Sequence, residues 1–275
     1  GRPELAAPGT GHLVGPCLAG LPFQLTHNQT TAFAAIQEDL AAPRRMARLL
    51  QGDVGCGKTV VGLLAALQVV EVGGQAALLA PTEVLATQHK RTFESLTSGL
   101  RKPDGSEVKV GLLGGWLRQK ERNEVYQEIS DGQIDILVGT HALLEEAVNY
   151  KNLQLVIVDE EQRFGVGQRA AAARGANLLA LTATPIPRSL TLTAYGGMEV
   201  TALREKPAGT RPIQTTALEM SSLDQVVAQV KKFVENGSSI FWVVPLVEDS
   251  EKLTDIVSAE ARYAHLREAL GGGGG

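Results

Sequence analysis

The run Gly52-Asp53-Val54-Gly55-Cys56-Gly57-Lys58-Thr59 sits between an apolar stretch and a helix-like one, with the spacing G-x-x-x-x-G-K-T. Glycines at these positions let the backbone curl so that successive N–H groups converge on phosphate oxygens, and a helix start adds partial positive charge. Lys58 can then reach the outer phosphates while Thr59 offers a hydroxyl to Mg2+, so the loop is expected to hold Mg-ATP. A second constellation, Asp159-Glu160-Glu161-Gln162, closes the apolar run Leu155 to Val158. At the carboxyl end of a parallel strand, Asp159 suits Mg2+ opposite Thr59, and Glu160 suits the orientation or deprotonation of an attacking water. Alone, such an acidic run is a solvated loop more often than a catalytic one; the phosphate loop upstream reverses that balance. Cys56 lies among converging N–H groups, which is expected to make its thiol more reactive than that of Cys17, provided solvent reaches it.

Those residues need a scaffold, and from Met46 onward short runs of Val, Leu and Ile alternate with helix-length amphipathic segments, the pattern of βαβ units around a parallel sheet. Strands are expected at 47–51, 76–80, 108–113, 134–138, 155–158 and 178–181. Helices are expected at 59–72, 83–96 and 119–129, the first closed by Gly73 and Gly74. After the turn at Lys206-Pro207-Ala208-Gly209 the pattern restarts with strands at 213–218 and 240–244 around a helix at 223–234. This divides the chain into a linker remnant from an upstream domain (1–20), a first domain (21–211), the incomplete start of a second (212–270) and a glycine tail (271–275).

Bulk properties set limits. With 44% hydrophobic and 20% charged residues the chain can build a core, which excludes a disordered protein. It has neither an apolar run of spanning length nor a signal-peptide pattern, so no membrane partner and a cytoplasmic location are expected. Two cysteines without nearby metal-ligand partners fit a reducing compartment. A net charge of −4 argues against a dedicated basic nucleic-acid binder, and any grip on phosphates must be local, through N–H groups, hydroxyls and single arginines.

The order of further motifs carries a resemblance. Asp159 to Val166 and Leu181-Thr182-Ala183-Thr184-Pro185-Ile186-Pro187-Arg188 are similar to motifs II and III of superfamily 2 helicases of the RecG, Mfd and PriA group. Ala80-Pro81-Thr82-Glu83-Val84-Leu85-Ala86 resembles motif Ia and Val138-Gly139-Thr140-His141 motif Ib. Leu21-Pro22-Phe23-Gln24-Leu25-Thr26 with Gln29 resembles the adenine-recognising Q motif. That opening, with Thr191 to Gly196 and Glu205 to Pro212, is most like the RecG family, whereas Asp-Glu-Glu-Gln at motif II is the form associated with Mfd-like translocases, which stay an alternative.

The resemblance implies a P-loop NTPase, a RecA-like parallel sheet with helices on both faces, followed by the start of a second RecA-like domain. It implies ATP and Mg2+ as cofactors, Gln162 beside Glu160 and Lys58 in turnover, and Phe23 and Gln29 at the base. Pro81, Thr82, Thr140 and His141 would lie on the nucleic-acid backbone, with Thr182, Ala183 and Thr184 coupling the two sites. The family's activity is ATP-driven translocation on DNA that remodels stalled forks and Holliday junctions, with a wedge domain and a second motor half as partners within the same protein.

Plainer readings compete. Thr82 before Glu83 is also an ordinary helix cap, Thr182 and Thr184 are also the polar end of a buried strand, and Arg163 with Phe164 either couples or packs. His89 and His141 read as surface or helix-start histidines. A nucleotide-binding module without turnover also stays open, because the sequence contains no Q-x-x-G-R-x-G-R segment to supply arginines to the transferring phosphoryl group. Such arginines contribute roughly 10³ to 10⁵ in rate in related enzymes. Residues 1–275 alone are therefore expected to bind Mg-ATP yet hydrolyse it barely above background, and robust ATPase stimulated by forked DNA from this polypeptide would overturn that expectation.

Overall fold

A computed structural model of the chain describes residues 11–145, 147–159, 171, 175–184, 198–205, 214–243 and 259–269. Contacts divide it into two units, one up to Thr210 and one from Arg211. In the first unit, seven strands form one sheet: β1 (Ala47–Gly52), β2 (Gln75–Leu79), β3 (Val110–Leu113), β4 (Ile136–Gly139), β5 (Leu153–Asp159), β6 (Asn177–Thr182) and β7 (Glu199–Leu203). Their order is β3-β4-β2-β5-β6-β1-β7, and each neighbouring pair is parallel.

Alternation along each strand feeds two cores. Leu50, Leu78, Ile157 and Leu181 point to the face covered by α1 (Val14–Gly20), α2 (His27–Ala41), α3 (Lys58–Val70) and α4 (Glu83–Thr97). Leu49, Ala77, Leu79, Val156 and Val158 point to the other, where α5 (Gln119–Asp131) and a 3-10 turn at His141–Leu144 pack. The resulting sheet with helices on both faces is the RecA-like fold. In α3 every residue from Val60 to Val70 is buried, so this helix has no solvent face at all and is held wholly by its neighbours.

Polar side chains fix the amino ends of the strands. Gln75 opens β2 and is 4% exposed; its Nε2 donates to the carbonyls of Ile129 (3.0 Å) and Ile134 (2.8 Å), and its Oε1 accepts from Asn152 N–H (2.9 Å). Asn177 opens β6, accepting from Met46 N–H and donating to Gln154 O. Asp135, directly before β4, accepts from Lys109 N–H and from Lys102 Nζ.

All six strands expected in this unit are present, with bounds moved by one or two residues. β7 was not expected: it is a sheet edge, mostly exposed, and offers no apolar run to read. α2 carries the legible signature of its start, a Thr26–Gln29 capping box. The linker reading of residues 1–20 is corrected over its second half. Leu13, Val14 and Cys17 are buried, α1 occupies Val14–Gly20, and Glu71 accepts the N–H groups of His12 (2.9 Å) and Leu13 (3.2 Å). A buried carboxylate capping a helix start belongs to a domain, not to a tether.

The second unit contains a 3-10 turn at Met220–Ser222, α6 (Leu223–Glu235) and α7 (Ala259–Ala269). The expected helix is there, but residues 214–218 and 240–243 are not strands, contrary to expectation. Apolar residues alone do not make a strand without a neighbour to accept its ladder; here Phe241 is 92% and Val243 89% exposed. Ile213, Val244 and the final glycines lie outside the described residues.

Gln75→Ala is expected to cost about 2–3 kcal/mol, because three hydrogen bonds to backbone groups, at Ile129 O, Ile134 O and Asn152 N–H, are lost together. Urea unfolding measures it; an unchanged midpoint would show that water replaces the amide.

Candidate active site

Parallel pairing sends the carboxyl ends of β1, β2, β4, β5 and β6 to one edge of the sheet, and the sequence motifs follow those ends. The phosphate loop runs from Gly52, the last residue of β1, to Lys58, the first of α3. Gly55 (φ +80°) and Gly57 (φ +81°) are left-handed, a conformation that side chains rarely adopt and that turns successive N–H groups inward. The Lys58 ammonium folds back over the loop, donating to Gly52 O (2.5 Å) and Asp53 O (3.0 Å). Its nearest acceptors are thus weak neutral carbonyls, which anionic phosphate oxygens would outcompete. The donor set suits a nucleotide with its divalent ion: a cation and N–H groups for phosphate, and the Thr59 hydroxyl and Asp159 carboxylate, hard oxygens, for Mg2+.

Gln29 is not at the surface. It is 1% exposed, with Oε1 accepting Thr26 N–H (2.8 Å) and Nε2 donating to Cys56 O (2.8 Å), so the first turn of α2 props the phosphate loop from below. A Cβ added at Gly57 would lie 2.1 Å from Gln29 Nε2, so glycine is required there both by backbone angle and by this close approach. The same turn reaches further: Asn28 Oδ1 accepts Arg204 N–H (3.0 Å), and Asn28 N–H donates to Glu205 (3.1 Å), beyond the end of β7. Phe23 is 43% exposed and lines a cleft of about 640 Å³ with Leu21, Pro22, Leu25 and Phe33. Val54 and Asp53 are exposed on the loop.

Cys56 departs from expectation. Its thiol is 1% exposed and fills the space over Gly52, where an added Cβ would meet Sγ at 2.5 Å. The condition for enhanced reactivity, access to solvent, is not met. Cys17 is 2% exposed, and burial pushes its thiol pKa up.

Asp159, expected from the sequence to face Mg2+, has a neighbour the sequence did not disclose. Asp159 ends β5 with its side chain 16% exposed, and His89 Nε2 lies 2.6 Å from its Oδ2. His89, read from sequence as a surface or helix-start histidine, is 8% exposed in the second turn of α4. The available signal was its place seven residues after Thr82, on the helix face that meets the sheet. His141 is exposed at a 3-10 turn, in keeping with the same reading.

Thr82 is exposed and caps α4 by accepting from Leu85 N–H (3.3 Å), so the plainer reading of it holds; Pro81 beside it is half-buried. Thr140 is only 5% exposed, which keeps its side chain largely from solvent. Thr182 is 1% exposed; its hydroxyl lies 2.9 Å from that of Thr184 and accepts Thr184 N–H (3.2 Å), a local turn at the end of β6 around half-buried Ala183. Glu160, Gln162, Arg163 and Phe164 lie outside the described residues.

A parallel sheet with a glycine-rich loop after β1 and an acidic end on β5 defines the RecA-like P-loop fold. Residues 26–194, more than half of the chain, match the family described as DEAD/DEAH box helicase, and the chain belongs to that family. It is 43% identical over 253 residues to the ATP-dependent DNA helicase RecG of Synechocystis sp., covering 91% of this chain and 30% of that relative. It is 42% identical over 264 residues to the protein of that name from Thermotoga maritima, covering 94% and 33%. The chain thus spans about a third of the length of these curated relatives. Among solved structures, a RecG bound to a three-way DNA junction superposes with a TM-score of 0.75 and 36% identity, covering 94% of this chain and 33% of that one. The helicase MrfA, at 18% identity and a TM-score of 0.64, shares the fold. No helix among the described residues is long and apolar enough to cross a membrane.

Gly57→Ala and Gln29→Ala are expected to be non-additive. The single glycine change meets the Gln29 amide, and removing that amide leaves only the backbone penalty, about 1–2 kcal/mol. A double-mutant cycle by urea unfolding checks this, and strict additivity would mean that the two residues do not bear on each other.

Proposed function

We propose that this chain carries the nucleotide-binding motor domain of an ATP-dependent DNA helicase of the RecG type, which remodels branched DNA such as stalled forks and Holliday junctions in recombination and repair. The observation that carries the reading is its 36% identity, over 94% of the chain, to the RecG bound to a three-way junction. RecG names on relatives 40–43% identical weigh against the Mfd-like alternative, which rests on Asp159 to Gln162 alone.

In this reading Lys58 and the N–H groups of Gly52 to Thr59 hold the phosphates of ATP, and Thr59 and Asp159 hold Mg2+, which neutralises phosphate charge. Phe23 and the Gln29 turn lie at the base. Glu160 orients or deprotonates the attacking water, with Gln162 beside it. Pro81, Thr82, Thr140 and His141 meet the DNA backbone, and Thr182, Ala183 and Thr184 relay the nucleotide state to it. Residues 212–270 begin a second RecA-like domain, and the protein works in the cytoplasm.

The test uses the full-length protein. ATPase stimulated by forked DNA is expected in the parent. Glu160→Gln should keep Mg-ATP binding while turnover falls roughly 10²–10⁴-fold, and Lys58→Ala should lose binding itself. Calorimetry and a phosphate-release assay separate the two. Parent-like turnover in Glu160→Gln would remove that residue from the chemistry, and a parent indifferent to forked DNA would remove the RecG reading.

A further inference from the structure

α4 carries two points of interest on one rigid rod, its start and its middle. Its first turn is capped by Thr82, in the segment proposed to meet DNA, and two turns further on His89 meets Asp159. The contact joins residues 70 apart in sequence at 2.6 Å. A carboxylate only accepts hydrogen bonds, so Nε2 of His89 carries the shared hydrogen. The ring is placed from the other side too: it lies 6.4 Å, centroid to centroid, from Phe93, tilted 59°, and Phe93 is fully buried one turn along the same helix. The imidazole is therefore held by packing on its own helix and aimed at one oxygen of the acidic strand end.

We infer that His89 is a positioning residue of the metal site, whose Nε2–H pins Oδ2 of Asp159 and fixes the carboxylate plane so that Oδ1 is presented to the divalent ion of the bound nucleotide. Groups that hydrogen-bond a ligating carboxylate set its direction and hence the affinity of the ion. The consequence is that α4, and not only the strand that bears Asp159, determines the geometry of the site. The inference rests on the reading of Asp159 as the metal-binding carboxylate.

The experiment measures Mn2+ binding to the 275-residue chain with ADP by electron paramagnetic resonance. ADP affinity in EDTA is followed separately. His89→Leu removes the donor at similar volume, His89→Phe removes it while keeping a ring against Phe93, and His89→Gln keeps a donor. The expected result is a Mn2+ dissociation constant raised about 10- to 100-fold in the donor-less variant that folds, and near the parent's in His89→Gln. Affinity for ADP in EDTA should be unchanged throughout, a split that loss of packing alone would not produce. Asp159→Asn separates the two levels: if it leaves Mn2+ binding intact, the metal reading itself fails. If Asp159→Asn weakens Mn2+ while the donor-less variants match the parent, or while glutamine weakens it as much as they do, the role assigned to His89 is overturned.

Discussion

The site depends on one constraint, the parallel hydrogen-bonded ladder from β1 through β6 to β5. Because the strands run the same way, whatever follows β1 and whatever ends β5 emerge on the same edge, and Asp159 pairs in register with Leu181 beside the chain that leads to Thr182. The ladder is immobilised from the opposite edge, where Gln75, Asn177 and Asp135 hold the strand starts by bonds to their neighbours' backbones. One edge is thus closed by side chains bonded to strand backbones, and the other carries the loops in which Lys58, Thr182 and Asp159 are held by Gly52 O, Thr184 and His89. Binding chemistry is possible at the second edge because the first does not need it.

The parts of this arrangement visible in the sequence are those with a period or a fixed spacing. Six strands and α3 to α5 were legible because each is an apolar run or a repeat of 3.6 between turn residues, and the phosphate loop because its glycines recur at set intervals. β7 was not, since an edge strand that is mostly exposed carries no apolar signature. α1 was hidden by Gly15 and Pro16 and is held by Glu71, 59 residues away from His12, a partner no local window contains. The strands expected in the second unit failed for the opposite reason: their apolar runs are real, but among the described residues nothing pairs with them.

The site shows the same division. Spacing located Lys58, Thr59 and Asp159, but the burial of the Cys56 thiol over Gly52 and the turning of Gln29 beneath the loop depend on packing across α2, which a linear motif does not encode. The His89–Asp159 contact, spanning 70 residues, is the clearest case. Asp159 sat in a recognised motif, whereas His89 lies three residues beyond one, and only the fold brings the two together.

The first turn of α2 holds Cys56 O through Gln29 and the chain after β7 through Asn28, adding a side-chain tie to two segments that start from the ladder pair Gly52 and Leu203. A four-residue stretch of backbone therefore acts as a mechanical differential. Any ligand that lifts the phosphate loop tugs on the same turn that tethers the segment leaving the sheet, and local opening of either releases the other. In the language of amide exchange, these bonds would tie loop, turn and exit segment into one unit of opening, although they are distant in sequence.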